Sequence, residues 1–420
     1  MYEKTTLDNG LRIVSSAMPH TRSVCVAAFV GTGSRYEAED KGGISHFIEH
    51  LCFKGTEIRP TSKEVCETIE GVGGIINAGT DKELTIYWCK VARPHFRLAV
   101  DVLSDILSNS RFDPQDIERE RQVIIEEINM SLDSPQQRVD MLIDSLVWPG
   151  HPLGRDVAGT KTSVSALTRE DMFDHVNNHY LADNTVVAVA GDVQHSEVLD
   201  TLGQAFAGWQ TKTPPVFIPA RDEQTEPRHQ LEYRDTEQAH LCLALPGLPL
   251  GHPDRFALDL LNVILGEGMS SRLFVEIREK RGLAYAIQSY VNHHLDSGCL
   301  TIYAGVDPTQ LPVACSAILE ELTGLLGDMP EAELHKAKEL SKGRLMLRME
   351  DTRSVAGWMG GQELLEGRIL TVDDVVSLLD DIGPGDLLRV ARGLVVPSRL
   401  NLAVVGPVGE EDVAKLLVKG

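Results

Sequence analysis

The sequence predicts an α+β protein made of two homologous domains, each a sheet with helices packed on it, that arose from an internal duplication. Three observations predict it. Strand-like segments are separated by runs of several consecutive helices rather than by single helices in strict alternation, which is the pattern of segregated α and β layers. The segment VCVAAFV at residues 24 to 30 recurs as HLCLALP at 240 to 246, and TVVAVAGDV at 185 to 193 recurs as LNLAVVGPV at 400 to 408, both with an offset near 215. Two matches at opposite ends of each half mark a duplicated unit. Residues 210 to 230, QTKTPPVFIPARDEQTEPRHQ, hold four prolines and no periodicity, as a linker does. The expected division is therefore a domain over 1–212, a linker over 213–229 and a second domain over 230–420. A chain of 420 residues is too long for one ordinary domain and suits two.

Composition sets the class. With 42% hydrophobic and 24% charged residues the chain can bury a core and keep a polar surface. A formal net charge of −22 argues against a nucleic-acid partner or an anionic membrane surface. MYEKTTLDNGLRIVSS at the start has neither an apolar signal core nor an Arg-rich presequence, and no apolar run approaches the length of a membrane span. The expectation is a soluble, cytoplasmic protein without a membrane partner. Seven cysteines, an odd number scattered through apolar contexts with no C-x-x-C pair, read as core residues in a reducing compartment.

Taken in order, residues 4 to 31 read as strands. LDNGLRIVSS carries an Asn-Gly turn, and SVCVAAFVGTG runs apolar as a strand buried by helices on one face would. The loop GSRYEAEDKGG leads to a helix over HFIEH. SKEVCETIE, 62 to 70, reads as a second helix with Ser62 as its cap and Glu64 near its third position. GVGGIINAGTDKELTIYWCKV reads as a glycine turn and a strand pair; its GVGG lacks the third glycine and following helix of a dinucleotide loop. Apolar residues then recur at helical spacing from 94 to 110 and from 114 to 130, with Asp113 and Pro114 marking the second start. Further helices are expected at 135 to 148 and 168 to 179, and a buried strand within 180 to 193.

The chemistry concentrates in GGISHFIEHLCFKGT, residues 42 to 56. On a helix His46 and His50 stand one turn apart on one face, so both imidazoles can reach a single ion. Two neutral imidazoles are ordinary zinc ligands, and a third, anionic ligand would leave one position open for water. Glu49, beside them, would take the proton from that water. The carboxylate has to come from a second helix. ERERQVIIEEINM offers Glu120 and Glu127, two turns apart on one face, with Glu126 as the rival of Glu127. The 215-residue offset places Leu261, Ile264 and Leu265 where His46, Glu49 and His50 stand, so the second domain is expected to keep this helix as apolar core without a metal site.

In these motifs the chain resembles the pitrilysin-like, inverzincin metallopeptidases, which carry H-x-x-E-H, and the resemblance covers essentially the whole chain. It implies zinc held by His46, His50 and the residue 77 positions after the second histidine, Glu127, with Glu120 orienting a histidine from behind. NAGTDKE resembles the family's edge strand that holds substrate as an added β-strand, which implies substrate contacts at Asn77, Ala78, Gly79 and Glu83. LGEGMSSRLFVEIREKRGLAYAIQS resembles the family's glycine-containing loop with its arginine and tyrosine seven apart. That spacing implies Arg278 and Tyr285, rather than Arg281 as the arginine, as donors to the oxyanion of peptide hydrolysis. The glycine loop is short here and interrupted by Glu267.

The length is that of the short form, similar to the mitochondrial processing peptidase β subunit and bacterial relatives. The implied function is a zinc-dependent endopeptidase acting on extended or unfolded peptides. The alternative is a noncatalytic interaction subunit of the same fold, like the core proteins of the bc1 complex. Since one chain carries both the zinc set and the Arg/Tyr pair, a homodimer with two equivalent composite sites is the expected assembly.

Overall fold

Residues 2–418 are described here by a computed structural model; Met1, Lys419 and Gly420, the outermost residues of the two expected domains, lie outside the described residues. In chain order the first half forms β1 (Glu3–Thr6), β2 (Arg12–Ala17), β3 (Ser23–Val30), α1 (Ile44–Cys52), α2 (Ser62–Glu70), β4 (Ile75–Thr80), β5 (Thr85–Ala92) and α3 (Phe96–Ser108). It continues with α4 (Pro114–Asp133), α5 (Pro135–Val147), α6 (Lys161–Ala166), α7 (Arg169–His179), β6 (Thr185–Gly191) and α8 (His195–Ala205). The second half forms β7 (Arg228–Tyr233), β8 (Ala239–Pro246), α9 (Arg255–Gly266), a π-helical segment Phe274–Lys280, β9 (Ala284–His293) and β10 (Gly298–Val306). It ends with α10 (Leu311–Gly324), α11 (Glu331–Arg348), α12 (Thr352–Glu366), α13 (Val372–Asp381), α14 (Pro384–Leu394), β11 (Asn401–Gly406) and α15 (Glu410–Val418). The fold is α+β, as expected.

One sheet has the order β1-β2-β6-β3-β5-β4, with β2 and β6 parallel and every other neighbour antiparallel. The other has the order β7-β11-β8-β10-β9, with β7 and β11 parallel and the rest antiparallel. Strand for strand these are the same sheet, with β1 added to the first. The register agrees as well. Ala27 sits between Ala188 and Trp88 in the first sheet, and Cys242 sits between Ala403 and Tyr303 in the second, each displaced by 215 residues. Because a slip of one residue would turn every side chain to the wrong face, a common register is strong evidence for one ancestral unit.

The compact units are not the two continuous halves. One comprises residues 1–128, 156–218 and 346–371, and the other 129–155, 219–345 and 372–420. Each takes a helix from the other half of the sequence. Val139, Leu142 and Ile143 of α5 pack on Cys242, Ala244, Tyr303, Ala403 and Val405, whereas Val355, Ala356 and Met359 of α12 pack on Cys25, Ala27, Phe29, Val186 and Ala188. Truncating the buried Leu142 to alanine would cost roughly 2–5 kcal/mol, so the placement of α5 is firmly specified. The expected boundary at 212 is corrected for this reason: amphipathic periodicity reveals that a helix has an apolar face, but not which sheet receives it.

The same helix explains β3, where Cys25, Ala27 and Phe29 face α12 and the alternate residues Val24, Val26 and Ala28 are buried on the opposite face. Both faces of β3 are covered, not one, and its continuous apolar run follows from that. The proline-rich linker is fastened at both ends. Arg35 stacks 4.0 Å above the Phe217 ring and donates to the Ile218 carbonyl (3.0 Å), while Ala220 N–H donates to Asp296 (2.9 Å). Arg228, expected in the linker, already begins β7.

At α2 the cap is Thr61, one residue before the expected Ser62. Its hydroxyl accepts from Glu64 N–H (3.2 Å), and Glu64 accepts from the Thr61 N–H (3.0 Å), a reciprocal capping box. Among the described residues no helix is long and apolar enough to cross a membrane.

Candidate metal centre

Helix α1 is held at its start by two features. Gly43, its N-cap, has φ 92°, and a Cβ there would lie 2.4 Å from the Ala158 carbonyl, so only glycine fits. The buried Glu37 carboxylate accepts the N–H groups of Gly43 and Ser45 at 2.8 Å each, satisfying donors that the helix leaves unpaired and placing negative charge at its positive end. Phe47, Ile48 and Leu51 bury one face of α1, which leaves His46, Glu49 and His50 half-buried on another. On α4 the buried stripe Ile117, Ile124 and Ile128 seats the helix, and Glu120 and Glu127 project from it toward α1.

The imidazoles of His46 and His50 lie 4.7 Å apart between ring centres. Glu127 Oε2 is 3.8 Å from His46 Nε2 and 3.5 Å from His50 Nε2, and one ligand atom from each of the three residues can be chosen so that all lie within 4.8 Å of one another. A tetrahedral zinc site with bonds of about 2.0–2.1 Å has ligand-to-ligand edges of about 3.3–3.4 Å. The two carboxylate-to-imidazole separations come close to that edge, and a donor set of two imidazoles and a carboxylate fits a divalent metal. Glu126, the alternative third ligand, is exposed and outside the cluster.

Around the three ligands the structure places further carboxylates and donors. Glu120 Oε2 lies 3.1 Å from His50 Nδ1, and Glu120 Oε1 accepts from Lys54 Nζ at 2.8 Å. That pairing suits a His50 with its proton on Nδ1, which leaves Nε2, on the side of Glu127, to a metal. Glu49 accepts from the Thr80 hydroxyl at 2.6 Å.

Electrostatics divide the two histidines. Burial, helped by the nearby His50, pushes His46 down to about 4, so this imidazole is neutral at ordinary pH. Burial also works to lower His50, but its hydrogen bond to Glu120 and the charges of Glu127, Glu120 and Glu49 outweigh it and hold the imidazole above its usual value. Burial raises Glu120, yet His50 and Lys54 overcome it and keep the carboxylate low. Glu49 goes the other way: burial dominates over the Thr80 and His50 contributions and raises it, which suits a proton acceptor.

Asn77, Ala78 and Gly79 lie on β4, the edge strand of its sheet, where alternate residues turn their backbone groups away from β5. Glu83 does not. It lies in the connection between β4 and β5, buried and ion-paired with Arg35, so it anchors the hairpin and its expected contact with substrate is corrected. An interior carboxylate left without its guanidinium would be strongly destabilising.

In the second unit Leu261, Ile264 and Leu265 of α9 are buried, as the duplication implied. Arg278, on the π-helical segment, stacks over Phe274 (4.7 Å) and Tyr285 (5.0 Å), and the Tyr285 side chain is 77% exposed. Arg281 is engaged by Glu276 and Glu320, both at 3.0 Å. The arginine and tyrosine singled out by spacing are thus neighbours on a surface.

Sequence reasoning did not assign Glu37, Lys54 or Thr80. Thr80 stood within the NAGTDKE stretch, and Lys54 lies one turn beyond His50; Glu37 gave no signal beyond a charged loop.

The family description "Insulinase (Peptidase family M16)" matches residues 12–161, and "Peptidase M16 inactive domain" matches residues 166–341. An uncharacterized zinc protease of Bacillus subtilis, YmxG, is 37% identical over 97% of this chain and 99% of its own length. Another, of Streptomyces coelicolor, is 36% identical over 98% of this chain and 91% of its own. A protease from Helicobacter pylori has a crystal structure that superposes with a TM-score of 0.90 at 26% identity, covering 96% of this chain and 99% of that one. With both family descriptions matched in sequence and full-length relatives at this identity, the chain belongs to peptidase family M16.

Proposed function

We propose that this protein is a zinc-dependent endopeptidase that cleaves extended or unfolded peptides. The observation that carries the reading is the His46, His50 and Glu127 cluster, whose donor atoms gather within 4.8 Å of one another with Glu49 beside them and Glu120 behind His50. When bound, zinc supplies a Lewis acid for the peptide carbonyl and lowers the pKa of a water molecule. Glu49, the carboxylate beside the ligands that the metal does not need, takes the proton of the attacking water and returns it to the leaving amine. The free edge of β4, where Ala78 between Asn77 and Gly79 turns its backbone groups outward, pairs with the substrate backbone, which selects extended chains because a folded segment has no unpaired backbone to offer. Arg278 and Tyr285 donate to the developing oxyanion, and in a homodimer they serve the zinc site of the partner chain.

The test is metal content together with peptide cleavage. Purified protein reconstituted with zinc should hold about one equivalent and should cleave unfolded polypeptides in a manner abolished by chelators. Zinc below about a tenth of an equivalent after reconstitution would favour a noncatalytic interaction role instead.

A further inference from the structure

The edge strand and Glu49 are joined by one residue, Thr80. In the β4–β5 hairpin the Asp81 N–H donates to the Leu84 carbonyl at 2.9 Å, which marks that pair as inward-facing, and in an antiparallel ladder inward and outward pairs then alternate. The pairs Thr80–Thr85, Ala78–Tyr87 and Ile76–Cys89 are therefore the ones whose backbone groups turn away from each other. The N–H and C=O groups of Thr80, Ala78 and Ile76 face the open edge. The Thr80 hydroxyl donates to the Glu49 carboxylate at 2.6 Å, and the N–H beside it faces the same carboxylate, working with the hydroxyl against the burial that raises it. The Ala78 N–H donates to Asn77 Oδ1 at 2.8 Å, a side chain free to rotate away.

We infer that Thr80 is a positioning residue: its hydroxyl and N–H clamp the Glu49 carboxylate to the end of β4, and this clamp ends the peptide-binding edge at Ala78. The inference rests on Glu49 being the proton acceptor. An added peptide displaces the Asn77 carboxamide, pairs with Ala78 and Ile76, and finds the Thr80 N–H taken. Its ladder stops there. The stretch of substrate beyond the Ala78 pair has no strand partner and lies opposite Glu49, while the clamp holds one carboxylate oxygen and leaves the other to accept a proton. Substrate register and base position are thus set by the same residue.

Thr80→Val keeps the branched shape and strand propensity while deleting the hydroxyl; Thr80→Ser keeps the hydroxyl. In the zinc-loaded protein Thr80→Val should lower kcat about ten-fold, with KM within about two-fold of wild type and zinc content unchanged, and Thr80→Ser should recover most of the loss. A Thr80→Val enzyme with wild-type kcat, or a loss confined to KM, overturns the inference. A second measurement needs no activity. In the zinc-free protein the Thr80 amide should exchange with solvent at least about ten-fold faster after Glu49→Ala, and unchanged exchange would show that no clamp exists. If wild type hydrolyses nothing with zinc bound, the functional reading fails on its own, and the exchange experiment still decides the clamp.

Discussion

His50 Nδ1 meets Glu120 Oε2 at 3.1 Å, while the corresponding nitrogen of His46 is buried without a partner among the described residues. The two proposed histidine ligands are therefore unequal: one ring is held from behind by a carboxylate that Lys54 in turn holds, and the other has no such partner on its Nδ1. Glu120→Gln should consequently weaken zinc binding by roughly 10–100-fold without abolishing it, because the amide orients the ring less well and withdraws negative charge from it. Competition titration with a zinc-binding dye would measure this, and an unchanged affinity would leave Glu120 as a helix-packing residue only.

Glu49→Gln is expected to abolish hydrolysis with full zinc retention, since the amide cannot accept a proton and Glu49 lies outside the ligand set. Appreciable turnover by a zinc-loaded Glu49→Gln protein would remove it from the role of base.

Glu127→Gln should lose both zinc and activity, whereas Glu126→Gln, altering an exposed side chain one residue earlier, should keep both. The paired variants test the register of α4. Opposite behaviour would mean that the helix presents a different carboxylate to the metal.

A second histidine pair gives a prediction about acid stability. His175 and His179 on α7 stack 4.2 Å apart, and His175 Nε2 lies 3.3 Å from both Thr32 Oγ1 and Ser45 Oγ, with no carboxylate paired to either ring among the described residues. Burial pushes His179 down to about 4 and, with the neighbouring His179, pushes His175 well below its ordinary value. In the unfolded chain both would protonate near pH 6.5. The folded state binds fewer protons, so their contribution is complete above pH 6.5 and is lost as pH falls from there toward 4. The slope is about 1.4 kcal/mol per pH unit for each histidine. His50 and His293, whose values are raised, act with the opposite sign, so the useful quantity is a difference. Urea unfolding at pH 7.5 and 5.5 should show wild type losing more stability than His179→Gln; equal losses would contradict the burial argument.

Much of this was legible because two kinds of signal survive in a single sequence. The 215-residue repeat survived because a buried strand tolerates only small changes in volume, and the register of Ala27 and Cys242 in their sheets bears out that offset. The candidate metal site was legible because helical spacing puts His46 and His50 on one face, whereas the choice of Glu127 over Glu126 came from the family resemblance. What was hidden depends on tertiary pairing. No local pattern assigns α5 or α12 to a sheet, since the apolar face that packs on β8 and β11 would serve β3 and β6 equally well. Glu37 reaches Gly43 across a loop, and Glu83 pairs with Arg35, 48 residues away, so an acid in a promising motif turned out to be an internal anchor. Thr61 rather than Ser62 caps α2 because both residues satisfy the chemical preference and only backbone geometry chooses between them.

The assembly proposal has a direct test. The zinc ligands and Glu49 lie in one compact unit, and Arg278 and Tyr285, neighbours across 5.0 Å, lie in the other. If two chains form a homodimer in which each Arg/Tyr pair serves the partner's zinc, a chain defective in one set can be rescued by a chain defective in the other. Glu49→Gln and Arg278→Ala proteins should each be inactive or nearly so as pure dimers, with zinc retained, because one lacks the base and the other a donor worth roughly 3–4 kcal/mol in the transition state. After mixing and exchange, half of the dimers should be mixed. Each mixed dimer pairs an intact zinc set and Glu49 from the Arg278→Ala chain with an intact Arg278 from the Glu49→Gln chain. One working site in every mixed dimer amounts to about a quarter of wild-type activity per chain. Exchange itself can be followed with fluorophores on the two variants. Recovery of activity in step with exchange would establish shared sites, whereas complete exchange with no recovery would mean that the oxyanion donors act within their own chain.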